Sequence, residues 1–112
     1  MIARNYQNLQ IKDNPHKVDV RALYNDPSAQ IMHMKLLPGE SLKPHKTPVN
    51  VAFYVLQGNP TIHIGDESMA YGQDFLVESP ADIVHYISNE TNEPARILVI
   101  KAPRPDQQTR VL

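Results

Sequence analysis

The stretch Val49-Asn50-Val51-Ala52-Phe53-Tyr54-Val55-Leu56 is apolar at every position except Asn50. It is short, rich in β-branched and aromatic residues, and closed by Gly58, which makes it a strand rather than a helix. Alternation places Val51, Phe53 and Val55 on one face and Ala52, Tyr54 and Leu56 on the other. Both faces are apolar, so both require cover. The protein's own core covers one. A second copy of the chain is the simplest cover for the other, with the N-terminal strand or the C-terminal tail as alternatives, and Tyr54 is then a dimer contact.

Outward from this strand the same period-2 pattern recurs. In Ile31-Met32-His33-Met34-Lys35-Leu36, the residues Met32, Met34 and Leu36 share one face and His33 and Lys35 the other; Pro38-Gly39 ends the run. Residues 61–64 alternate as well, and Gly65-Asp66-Glu67 turns them into residues 68–71 as a hairpin. Further short strands are expected at 18–23, 75–77, 85–88 and 96–101. The ten prolines, with Gly39, Gly58, Gly65 and Gly72 between apolar runs, divide the chain into pieces too short for long helices. The fold class expected is all-β, a single jelly-roll β-barrel of about eight strands. It forms one domain over residues 1–112, with an N-terminal segment at 1–17 and a polar tail at 103–112.

Composition narrows the function. Eleven basic and twelve acidic residues leave a net charge of −1, without the clustered Lys and Arg of a nucleic-acid surface. No apolar run is long enough to span a bilayer, and residues 1–14 lack the apolar core of a secretory signal, so a cytoplasmic protein with no membrane partner is expected. The chain has no cysteine. Disulfides, cysteine-ligated zinc and thiol catalysis are therefore excluded, and any chemistry rests on His, carboxylates, hydroxyls and Tyr. No G-x-S-x-G elbow, phosphate loop or H-E-x-x-H pair occurs.

Gly39, His45 and Gly58 stand at the spacing of the first glycine, first histidine and last glycine in the pattern G-x5-H-x-H-x3-E-x6-G. Pro80, His85 and Asn89 keep the later spacing of G-x5-P-x-G-x2-H-x3-N; Asp82 replaces its second glycine and Gly72 lies two residues early. On these residues the chain resembles a small single-domain member of the cupin superfamily with degenerate metal-binding motifs. The resemblance implies a jelly-roll barrel, often dimeric, whose motif histidines point inward to hold one divalent transition metal. Only His45 and His85 match metal-ligand positions here, because Thr47 stands for the second histidine and Val51 for the glutamate.

Two imidazoles fall short of the three protein ligands usual in catalytic sites, and the Val51 position lacks the anion that would offset a metal's charge. The site expected is a lumenal pocket at His45 and His85, with Thr47, Val51, Phe53, Met34 and Ile87 as ligand-contacting residues and a weakly bound divalent metal as an optional cofactor. The preferred function is small-molecule binding. A metal-dependent cupin enzyme of oxygenase or isomerase type, and a non-catalytic structural or regulatory homodimer, stand as alternatives. Two other histidines are read away from the site: His63 and His33 face outward by alternation. His16, among turn-forming residues, is read as solvated.

Overall fold

The computed structural model describes residues 1–106 and 110–112, with Arg110 described by its backbone alone. Each alternating run becomes a strand: β1 (Asp19–Asp26), β2 (Ala29–Leu36), β4 (Val51–Gln57), β5 (Thr61–Ile64), β6 (Glu67–Ala70), β7 (Leu76–Ser79), β8 (His85–Ser88) and β9 (Ala95–Lys101). Two further pairings, too short to show as alternation, are β3 (His45–Lys46) and β10 (Arg110–Val111). The strands form two antiparallel sheets, β1-β2-β9-β4-β7 and β10-β3-β8-β5-β6.

Among the described residues no ladder joins the two sheets, so the closed barrel expected from sequence is corrected to a jelly-roll sandwich. The reason lies in the prolines. Pro38, Pro44, Pro48, Pro60, Pro80, Pro94, Pro103 and Pro105, eight of the ten, sit in segments that cross from one sheet to the other. Proline has no N–H to donate, and it stops the ladder where a barrel would need continuity. Of the expected polar tail, residues 107–109 lie outside the described residues, while β10 pairs with β3 and sets Val111 opposite His45.

The inward faces interlock as the alternation requires. Met34 and Leu36 from β2, Val51, Phe53 and Val55 from β4, Ile62 and Ile87 from β5 and β8, and Ile97 from β9 are all buried. Each such side chain contributes on the order of 1.5–3 kcal/mol. Gly58 turns the chain out of β4 with φ +82°, and a Cβ there would lie 2.6 Å from the Pro94 carbonyl oxygen. Asn89 ties the same end: its amide donates to the carbonyls of Leu36 and Glu93 at 3.0 and 2.7 Å, next to the Leu36–Ala95 pair.

Part of the outer face of the first sheet is covered by the chain's own N-terminal segment. Tyr6 stacks on His33 with ring centroids 3.7 Å apart, and the Arg96 guanidinium lies 4.6 Å from the Tyr6 ring. Arg21, paired with Asp19, donates to the carbonyls of Tyr6 and Leu9. His33 therefore points away from the core, as alternation requires, yet is only 1% exposed. His63 also faces outward, stacked on Tyr86 at 4.0 Å. Farther along the same sheet as His33, Phe75 and Leu76 are exposed, and the Tyr54 hydroxyl donates to the Asp74 carboxylate at 2.9 Å.

Candidate functional site

Strands β3 and β8 run antiparallel with His45 directly opposite His85. Their rings meet edge to face, with centroids 4.6 Å apart. Antiparallel pairing thus brings together two histidines that stand forty residues apart in sequence. Phe53, inward from β4, packs against His85 at 5.3 Å.

His85 is nearly sealed, at 1% exposure, and both its ring nitrogens are engaged. Ser79 Oγ lies 2.6 Å from Nδ1 and Thr47 Oγ1 lies 3.2 Å from Nε2. A neutral imidazole has one donor and one acceptor, and each hydroxyl can serve as the complement. Burial first, then His45 and Lys101, push the His85 pKa down to about 4, so the ring is neutral near pH 7.

His45 differs. Its Nδ1 lies 2.7 Å from the Lys43 carbonyl oxygen, which only accepts, so Nδ1 carries the proton and Nε2 the lone pair. Burial lowers its pKa, with the Lys43 bond acting the other way and Lys101 adding to the lowering. His45 lines a cleft of about 600 Å³. Met32, Met34 and Val99 supply apolar wall from one sheet and Val111 from the other, while Lys101 and Arg104 bring positive charge. Asn14, Asn25, Gln30 and Asp106 add polar lining, so the concavity is mixed, with apolar wall and convergent polar groups such as a small-molecule site uses.

Of the residues expected at a ligand, Met34 and His45 line this cleft. Thr47 is buried against His85, Phe53 packs on the same ring, and Ile87 belongs to the hydrophobic core. Val51, also in the core, lines a separate cavity of about 360 Å³ together with Ser79.

His16 is corrected. It sits in a turn, as expected, closed by Lys17 N–H to the Asn14 carbonyl, but instead of standing solvated its ring lies 4.9 Å from that of His45 and lines the same cleft. Asn14 sets this up by bonding the carbonyls of Lys12 and Val18 and accepting the His16 N–H, curling the segment back onto the sandwich. Ser79 and Lys101 were also missed as site residues. Both were within reach of alternation, since Ser79 follows Val77 and Lys101 follows Val99 on inward faces.

The divalent metal implied by the resemblance does not fit this donor set. The Thr47 hydroxyl and Val51 side chain occupy the positions of two ligands, and His85 has both nitrogens engaged. Among the described residues no group of three His, Asp or Glu side chains is arranged to hold a metal ion. Nor, among them, is any helix long and apolar enough to cross a membrane.

Comparison with known proteins agrees with the motif spacing. The family profile described as a cupin domain matches residues 32–101. Among solved structures, the TT1209 protein from Thermus thermophilus is 27% identical, with a TM-score of 0.80 over 94% of this chain and 100% of that one. A cupin family protein with a double-stranded β-helix fold from Methanocaldococcus jannaschii is 25% identical, with a TM-score of 0.74 over 92% and 93%. The polyketide cyclase RemF from Streptomyces resistomycificus is 16% identical, with a TM-score of 0.85 over 100% of this chain and 85% of its own, a likeness of fold alone. No curated protein matches at a significant level.

Proposed function

We propose that this chain, which belongs to the cupin family, is a small-molecule-binding protein whose ligand occupies the cleft beside His45 without a resident metal. The observation that carries this reading is the cleft itself: about 600 Å³, walled by Met32, Met34 and Val99, with His45 and Lys101 as polar groups on its lining. Its size and mixed lining suit a small organic molecule. The incomplete donor set at Thr47 and Val51 supports a metal-free mode. His85, braced by Ser79 and Thr47, supports His45 from behind rather than meeting the ligand.

A thermal-shift screen of small metabolites tests the reading. Hits are expected to lose their stabilisation in Val99→Phe, which fills the cleft wall. Hits that stabilise the variant as well as the parent chain would place binding elsewhere and overturn it.

The homodimer is proposed alongside, on the second apolar face of β4. Tyr54 and the exposed Leu76 beside it form an apolar strip that the N-terminal segment leaves uncovered. A monomer mass by light scattering at micromolar concentration would sink this part.

A further inference from the structure

His16 and His45 are both anchored to one residue, Lys43, and in opposite senses. The Lys43 amide N–H donates to His16 Nδ1 at 2.9 Å, whereas the Lys43 carbonyl accepts from His45 Nδ1 at 2.7 Å. A neutral imidazole carries one proton shared between two nitrogens, so each anchor dictates what the far nitrogen does. His16 must carry its proton on Nε2. His45 must leave Nε2 bare. The cleft therefore contains a hydrogen-bond donor on His16 and an acceptor on His45, on rings 4.9 Å apart.

The surroundings disfavour the charged form of both rings, in keeping with the tautomers that the Lys43 bonds set. Burial is the main cause in each, and the Lys101 ammonium acts in the same direction on both. Neither Nε2 makes a hydrogen bond to another described residue, and both rings line the cleft. With each Nδ1 turned to the Lys43 backbone, the far nitrogen of each ring is the one left for a ligand in the cleft.

We propose that His16 and His45 form a donor–acceptor pair with tautomers set by the Lys43 peptide groups, and that the pair recognises a small carboxylate bearing a neighbouring hydroxyl. The ligand hydroxyl donates to His45 Nε2, and a carboxylate oxygen accepts from His16 Nε2–H. Among the described residues, charge on the cleft wall favours an anion over a neutral amide of the same donor–acceptor pattern: Lys101 and Arg104 line it as cations and Asp106 as a carboxylate. A hydrogen bond to a charged group is stronger than one between neutral partners. This inference rests on the cleft reading above and specifies its ligand.

Two experiments test it. In nitrogen-15 NMR of the ligand-free protein at pH 7, His45 should show the Nδ1–H tautomer and His16 the Nε2–H tautomer. Averaged or reversed tautomers would overturn the pairing without reference to any ligand. Calorimetry with 2- and 3-hydroxy carboxylic acids, each beside its deoxy acid and its amide, tests recognition. The hydroxy acid should bind about tenfold tighter than the deoxy acid, and the amide should bind more weakly than either.

His45→Asn retains a donor for the Lys43 carbonyl but removes Nε2, so it should abolish the preference for the hydroxyl while the deoxy acid still binds. His16→Asn retains an acceptor for the Lys43 N–H and should weaken all the acids together. If His45→Asn does not fold, the NMR result and His16→Asn still decide the matter. Equal binding of hydroxy and deoxy acids, or no binding of any acid, overturns the inference. In the second case, neutral hits lost in Val99→Phe would leave the cleft reading standing, and their absence would remove both.

Discussion

The Thr47 hydroxyl lies 3.2 Å from Nε2 of His85, both groups buried, so the residue in the place of a motif histidine is a hydrogen-bond partner of one of the two that remain. This relationship explains how a sandwich with half of a ligand set keeps its histidines ordered. Ser79 holds the other ring nitrogen, and the imidazole is satisfied without an ion.

The lost ligands are expected to be recoverable. Thr47 and Val51 are both buried and adjoin the His85 site. Thr47→His with Val51→Glu should raise zinc affinity at least roughly tenfold over the parent chain in calorimetry, the imidazole and carboxylate being proper zinc donors where a hydroxyl and an isopropyl group are not. No gain would mean that these positions do not converge on His85 and His45.

Removing Ser79 Oγ should be costly for its size. Ser79→Ala leaves His85 Nδ1 buried with no partner, a penalty of about 1–3 kcal/mol. Urea unfolding at pH 7 measures it, and a loss below about 0.5 kcal/mol would show that the 2.6 Å contact is not a working hydrogen bond.

Stability should fall as the solution is acidified from about pH 6.5 toward 4. Burial lowers His16, His33 and His85 from 6.5 to about 4 in the folded protein, with Arg96 adding to the effect at His33. Between those values the unfolded chain binds more protons than the native one, so protonation favours unfolding. The stabilisation is complete above the unfolded value and disappears as pH passes down through the folded one. Urea midpoints between pH 7 and 4.5 should decline, and the decline should be shallower in His16→Asn. A flat profile would contradict the burial of these rings.

Gly58→Ala should destabilise by about 2 kcal/mol or more. The position combines φ +82° with a Cβ that would meet the Pro94 carbonyl oxygen at 2.6 Å and Ala95 Cα at 2.9 Å, both backbone atoms that cannot rotate away. Thermal unfolding of the single variant checks this, and an unchanged midpoint would mean that the β4 exit rearranges freely.

Eight of the ten strands were legible in the chain because a strand is a local object: side chains alternate with period 2, and the apolar set declares its face within a few residues. The same rule, continued one step, would have reached Ser79 and Lys101. It could not reach β3 or β10, each of which pairs only two residues. Nor could it foresee open sheets, since the prolines' meaning depends on which segments cross between layers.

The candidate site divides along the same line. The family resemblance carried by the motif residues implied that His45 and His85 share a place, and the β3–β8 register sets them opposite each other. Only the tertiary structure decided that His16 joins them, that His85 is sealed by hydroxyls, and that Lys43 sets two imidazoles in opposite senses. Those features depend on where an irregular N-terminal segment comes to rest. Its path is set by hydrogen bonds from Asn14 and contacts across the fold, which leave no periodic trace in the order of residues.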